Sequence, residues 1–188
     1  MLLHDGIGEE NSCAAAKAVE DAQAVAQRMG LPFQVFCLQD AFREYVIENF
    51  IHCYECGLTP NPCIQCNRHL KFDAFLQKAL ELGCDYIATG HYAQIRWDES
   101  SGRYQLCKAA DAAKDQTYFL YTLTQEQLAH VRFPLGGLTK SEAREIAEAA
   151  GFVTARKRDS QDICFVPDGD YVRFMERYTG KTYIPGDY

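Results

Sequence analysis

The sequence predicts an α/β fold with a parallel sheet, on three observations. Apolar residues recur at helical spacing in several segments. Between those segments lie short apolar runs of strand length, Phe33–Leu38 and Asp85–Tyr92. The resulting order, helix–strand–helix–helix–strand, is that of a unit whose helices cover a parallel sheet. With 47% apolar and 12% aromatic residues in 188, the chain has the material for a real core and is not a disordered chain.

Each element has a local reason. From Cys13 to Met29, Ala16, Val19, Ala22, Val25 and Ala26 keep helical rhythm, with Gly30 as the C-terminal stop and Pro32 beyond it. Phe33–Leu38 reads as a buried strand. Asp40 is placed to cap the next helix, Ala41 to about Ile51. Leu70, Phe72, Phe75, Leu76, Ala79 and Leu80 predict an amphipathic helix over His69–Leu82. The strand at Asp85–Tyr92 ends in Thr89-Gly90-His91, at the carboxyl end where parallel sheets bind ligands. A lone loop histidine is more often satisfied by backbone than by a ligand, and that alternative stands beside the functional one.

Downstream, Ala93–Arg96 and Tyr104–Lys108 flank the polar turn Asp98–Gly102, which predicts a β-hairpin. Thr124–Val131 reads as a short helix. Thr139-Lys140-Ser141-Glu142 carries a capping-box pattern that opens a helix ending at Gly151. Asp170–Tyr178 is helical, followed by Gly180.

The cysteines carry the chemistry. Nine of them, an odd count without a secretory signal, argue for a reducing cytoplasm and for thiol or metal chemistry rather than a disulfide scaffold. No apolar run is long enough to span a membrane. The net charge of −7 argues weakly against a nucleic-acid partner, although partners read local patches. In Thr59-Pro60-Asn61-Pro62-Cys63-Ile64-Gln65-Cys66-Asn67-Arg68, two cysteines stand three apart on a turn-forming stretch before a helix. Cys66 is expected near the helix start, close to Arg68 and Lys71, where the dipole and the cations favour thiolate. A pair of structural cysteines is the competing explanation. A second thiol, Cys164, follows the basic run Arg156-Lys157-Arg158 and a polar stretch. A solvated charge run and an inert buried cysteine are the ordinary explanations there.

Four collinear motifs make the chain recognisable. They are Thr59–Arg68 with Lys71-Phe72, Ala88–Tyr92, Lys114-Asp115-Gln116-Thr117-Tyr118-Phe119-Leu120, and Asp159-Ser160-Gln161-Asp162-Ile163-Cys164-Phe165. Together they resemble the bacterial tRNA-specific 2-thiouridylases, over nearly all of the chain. The resemblance implies a Rossmann-like fold of the adenine nucleotide alpha hydrolase type. It implies ATP and Mg²⁺, used to adenylate the wobble uridine of tRNA before a persulfide sulfur displaces AMP. Cys164 then matches the persulfide cysteine, loaded by a sulfur-relay protein or a cysteine desulfurase. Cys66 matches the nucleophile that closes a transient disulfide with it. Asn61, Pro62 and Cys63 match the segment that contacts the target base. Gly90 matches an ATP contact, and Met1 aligns with a residue near the adenine. His91 matches a tRNA contact, as do Lys114, Asp115 and Gln116. Basic residues Arg68, Lys108, Lys114 and Arg156–Arg158 are placed to meet phosphates despite the acidic total. Cys66 and Cys164 are expected on loops facing one cleft.

The departures from the family pattern shape further expectations. No Ser-Gly-Gly-x-Asp-Ser-type phosphate loop occurs in the chain. The sheet is therefore expected to lack its first strand and phosphate loop, to expose an apolar face, and to be followed by a partly helical tRNA-binding segment. As a fragment, it is expected not to turn over ATP at a useful rate alone. The expected division is 1–130, a partial nucleotide-binding domain with an inserted hairpin, and 131–188, a helical segment with the second cysteine that begins a truncated central domain. Many family members carry Asp at the position of Cys63. With a thiol there, Cys63, Cys66 and Cys164 form a candidate iron–sulfur ligand set. Cys53, Cys56, Cys63 and Cys66 form a CxxC…CxxC array, the pattern of a zinc site. A remnant that only binds tRNA or a sulfur carrier is the third reading. Cys13, Cys37, Cys84 and Cys107 read as ordinary thiols.

Overall fold

The computed structural model describes residues 9–152, 155, 163–184 and 186, with side chains from Lys17 onward. The expected role of Met1, the thiol of Cys13, and the basic run Arg156–Arg158 lie outside the described residues.

Helix α1, Glu9–Arg28, stops where Gly30 takes φ +65°, which brings Leu31 N–H to the Ala26 carbonyl at 2.9 Å. The segment predicted as a strand, Phe33–Leu38, is not one. It joins no strand ladder among the described residues beyond an isolated bridge at Cys37, and Leu31, Phe33 and Val35 are exposed. An apolar run carries the propensity for a strand, but only a paired neighbour makes it one. Helix α2 follows as Gln39–Phe42, Arg43–Glu48 and Asn49–Glu55, with wide π-type turns in its middle part. Asp40 lies inside its first turn and Leu38 occupies the cap position, so the expected cap does not form.

Helix α3 runs through Pro62–Gln65, Cys66–Ala74 and Phe75–Glu81. It starts seven residues before the predicted His69. Pro62 is its first residue, where a missing N–H costs nothing and a fixed φ suits the helix. Its middle part is again wide-turned, with Phe75 N–H reaching the Leu70 carbonyl five residues back. Strand β1, Ile87–Ala88, pairs in parallel with β4, Val131–Arg132. Between them come the hairpin β2, Ala93–Asp98, and β3, Arg103–Lys108, then helix α4, Gln125–Ala129. Helix α5, Lys140–Ala149, opens with the predicted capping box: Thr139 Oγ1 accepts from Glu142 N–H, and Thr139 N–H donates to the Glu142 carboxylate at 2.7 Å. Helix α6, Tyr171–Thr179, ends at Gly180 in the left-handed region.

By density of contact the chain divides into two units. One lies within Cys63–Lys157; the other draws on Leu2–Pro62 and Arg158–Tyr188. This grouping does not follow the 1–130 and 131–188 division expected from sequence. The first unit is centred on Phe72, Leu76, Ala79, Ile87, Ala93, Leu120 and Val131. The second holds an aromatic cluster in which Phe165 meets Phe42, Phe50 and Phe174 at ring separations of 5.7, 5.3 and 5.1 Å. Among the described residues, no helix is long and apolar enough to cross a membrane.

Candidate functional site

In the first unit, β1 delivers Thr89, Gly90 and His91 to its carboxyl end, as the sequence predicts. Thr89 N–H still donates to the Arg132 carbonyl at 3.1 Å, so the ladder holds the start of this segment. Beyond it opens a pocket of about 380 Å³, lined by Lys71, Phe75, Ala88, Thr89, Gly90, His91 and Gln116. Three separate motifs of the sequence thus contribute to one cavity.

His91 is only 8% exposed and lies against the rings of Phe72 and Phe133, at 5.6 and 5.8 Å. Burial, with the Lys71 ammonium adding to it, pushes its pKa down to about 4. The ring is therefore neutral near pH 7. Its Nδ1 shares a 2.7 Å hydrogen bond with Thr89 Oγ1, and when that hydroxyl donates, Nε2 carries the proton. A neutral, oriented imidazole suits hydrogen bonding to a base or a sugar better than pairing with phosphate.

Gln116 is fixed from both sides. Its side-chain Oε1 accepts from Tyr92 N–H at 3.0 Å, and its own N–H donates to the Tyr92 carbonyl at 2.9 Å. Asp115 has a structural part in its loop. Its carboxylate accepts from Ala109 N–H at 2.8 Å and from Thr117 Oγ1 at 2.6 Å, and so shapes the loop. Burial raises its pKa, but those hydrogen bonds outweigh burial and leave the group below its ordinary value. Lys114 N–H donates to the Asp111 carbonyl at 3.1 Å in the same loop.

Cys63 and Cys66 both sit on α3. Cys66 is 7% exposed and begins the wide-turned part of the helix, so the expectation of a loop thiol fails. The physical reason is Pro62, which starts the helix ahead of both cysteines. Cys63 is in the first turn; burial of its thiol raises its pKa, with Lys71 pulling partly the other way. Asn61 is exposed and Pro62 buried. Sequence reasoning passed over Asn67, which is 2% exposed and donates to the Phe119 carbonyl at 3.2 Å, tying the cysteine helix to the loop of Gln116. The Gln127 side chain adds a second tether, donating to the Phe72 carbonyl at 2.7 Å. A polar residue on the apolar face of a helix was the available signal for Asn67.

In the second unit, Cys164 stands exposed on a turn closed by Val166 N–H to the Ile163 carbonyl at 2.8 Å. Phe165 and Val166, both buried, anchor that turn in the aromatic cluster. The ordinary expectation of an inert buried cysteine therefore does not describe Cys164.

The metal alternatives can be tested on the donor sets. Among the described residues, no group of three or more His, Cys, Asp or Glu side chains comes together to hold a metal ion. Cys53 instead lies 3.8 Å from Asn49 Oδ1, and Cys56 3.7 Å from a ring nitrogen of His52.

A parallel strand ending at a polar pocket, with a helix bearing two cysteines alongside, is the arrangement of a Rossmann-like α/β protein. The chain belongs to the family described as the tRNA methyl transferase HUP domain, whose model matches residues 3–168. It is 53% identical over 181 residues to a protein of Symbiobacterium thermophilum named tRNA-specific 2-thiouridylase MnmA, covering 96% of this chain and 46% of that one. Proteins of the same name from Clostridioides difficile and Heliobacterium modesticaldum are each 51% identical. They cover 94% and 96% of this chain and 49% and 47% of their own lengths. The chain thus spans about half the length of these curated relatives.

Proposed function

We propose that this chain supplies the nucleotide pocket and both sulfur-handling thiols of a cytoplasmic tRNA 2-thiouridylase. The observation that carries this reading is the convergence of the Lys71, Thr89–His91 and Gln116 motifs on one pocket, beside a helix bearing Cys63 and Cys66. The family description speaks of methyl transfer and the relatives' names of thiolation; the thiols favour sulfur.

ATP with Mg²⁺ is the co-substrate that converts the uridine C2 oxygen into a leaving group. Thr89 and Gly90 border the nucleotide, while His91 and Gln116 orient the base side of the pocket. Asn61, Pro62 and Cys63 face the target uridine, and the Lys114–Gln116 loop meets the tRNA backbone. Cys164, exposed on its turn, accepts sulfur as a persulfide from a desulfurase or relay protein. Its outer sulfur bonds to C2 as AMP departs with the oxygen. The Cys66 thiolate then attacks the inner sulfur, forming a Cys66–Cys164 disulfide and leaving the electron pair on the sulfur bound to C2. A cellular dithiol reduces the disulfide for the next turnover.

The test uses a chimera in which residues 1–188 replace the matching half of the Clostridioides difficile relative. It should form 2-thiouridine in tRNA when given ATP and a desulfurase. Cys66→Ser and Cys164→Ser should each lower the rate by about a thousandfold or more. Retained thiolation in Cys164→Ser would end the assignment. Cys63→Asp should keep activity, whereas a reaction needing three thiolate ligands would lose it.

A further inference from the structure

We propose that the groove beside the hairpin, whose lining includes no residue of the four motifs above, is a stacking subsite for an unpaired RNA base. The proposal rests on the tRNA reading and adds a contact to it. The groove has a volume of about 560 Å³, within the size range of small-ligand sites. It belongs wholly to the first unit.

Its origin lies in the hairpin register. Ile95 pairs with Leu106, and Trp97 with Tyr104, so all four share one face. At one end of that face Ile95 and Leu106 pack on the core. At the other end the core stops. Trp97, the only tryptophan of the chain, is 49% exposed there and stands edge-on to Tyr104 at 4.8 Å. An aromatic pair on a solvated hairpin end contributes little stability, but it offers a flat apolar platform.

The opposite wall brings charge. Val131, Arg132, Phe133 and Pro134 line it. The Arg132 guanidinium lies 3.8 Å over the Tyr86 ring and donates to the Val131 carbonyl at 2.9 Å, which holds it in place. No carboxylate lines the groove among the described residues, although the chain carries a net charge of −7. An aromatic floor with one fixed cation and no acid selects a planar ligand attached to a negative charge. A base stacks on Trp97 while its phosphate meets Arg132. Gln94, also in the lining, adds an amide for the base edge.

Trp97 is its own reporter. The experiment titrates the 188-residue chain with a fluorescein-labelled RNA hairpin whose loop contains unpaired uridine, reading RNA anisotropy and Trp97 emission together. The expected result is that Trp97 emission falls along the same curve as the anisotropy rises. Arg132→Gln and Trp97→Ala should each weaken binding by about tenfold. Circular dichroism checks the fold of each, and if Trp97→Ala unfolds, Arg132→Gln decides. RNA binding with unchanged Trp97 emission, and unchanged affinity in Arg132→Gln, would overturn the subsite and leave the tRNA reading intact. Equal quenching by AMP alone would overturn it in favour of a free-nucleotide site. A flat anisotropy trace would overturn both the subsite and tRNA binding by this chain.

Discussion

The two thiols assigned to sulfur transfer are held in opposite ways. Cys66 is buried in a helix that Asn67 and Gln127 tether to neighbouring segments. Cys164 stands exposed on a short turn whose following residues, Phe165 and Val166, are buried. A thiol that receives sulfur from another protein must be reachable. A thiol that resolves the intermediate must be shielded from other acceptors and fixed in direction. The contrast teaches that accessibility belongs to the Cys164 turn and order to the Cys66 helix.

The largest stability effect expected is in the second unit. Phe165→Ala removes a ring that is 4% exposed and shared by three other aromatics. It should cost about 4 kcal/mol in chemical denaturation and release the Cys164 turn. Intact stability in that variant would show that the turn is held by something other than the cluster.

The next effect tests the first unit. A Cβ at Gly136 would come 1.8 Å from the Ala93 carbonyl oxygen, so Gly136→Ala forces backbone apart where the loop after β4 passes under β2. The cost should be about 3 kcal/mol, with hydrogen exchange fastest in the hairpin. By contrast, a Cβ at Gly90 meets only Leu135 Cδ1 at 3.8 Å. Gly90→Ala should therefore leave stability within about 0.5 kcal/mol while weakening nucleotide binding, measured by calorimetry in the chimera. Any loss of binding there reports on the ligand and not on the fold.

Most of the helices, the hairpin and the strand at Ile87–Ala88 were legible in the sequence because they depend on local rules. The capping box at Thr139 and Glu142 satisfies helix donors within four residues, so pattern alone finds it. The meeting of Thr89, Gly90 and His91 at a strand end follows from parallel-sheet topology. What was not legible depends on partners distant in sequence. Phe33–Leu38 has the composition of a strand without the described neighbour that would make it one. At Cys164 the flanking Ile163 and Phe165 left an inert buried cysteine as the ordinary alternative to the loop thiol that the resemblance implies. Only the tertiary placement of Phe165 reveals that its burial turns the cysteine outward. The loop bonds of the Asp115 carboxylate to Ala109 N–H and Thr117 Oγ1 likewise depend on tertiary placement.

A pH dependence sharpens the account of the pocket. The His91 pKa is lowered in the folded chain to about 4 from an ordinary value of 6.5. Above 6.5 the ring is neutral in both states and contributes no pH dependence. As pH falls from 6.5 to 4, the unfolded chain takes the proton first, so stability is lost across that window, by up to about 3 kcal/mol. The His91→Gln variant should lose less over the same range. Equal stability to urea at the two ends of the window would mean the ring titrates in the folded chain as it does in the unfolded one. A smaller effect is expected at Thr139→Ala, which removes one cap and should cost about 1 kcal/mol without changing the reactivity of either thiol.

The most direct test of the division of labour is to find where the sulfur goes first. The chain, reduced and then exposed to a cysteine desulfurase with its substrate, would be trapped with an alkylating agent and its peptides weighed. The account predicts the extra sulfur on the peptide carrying Cys164, with Cys66 unmodified and alkylated at least about tenfold more slowly. Extra sulfur on Cys66, or faster alkylation of Cys66 than of Cys164, would contradict it.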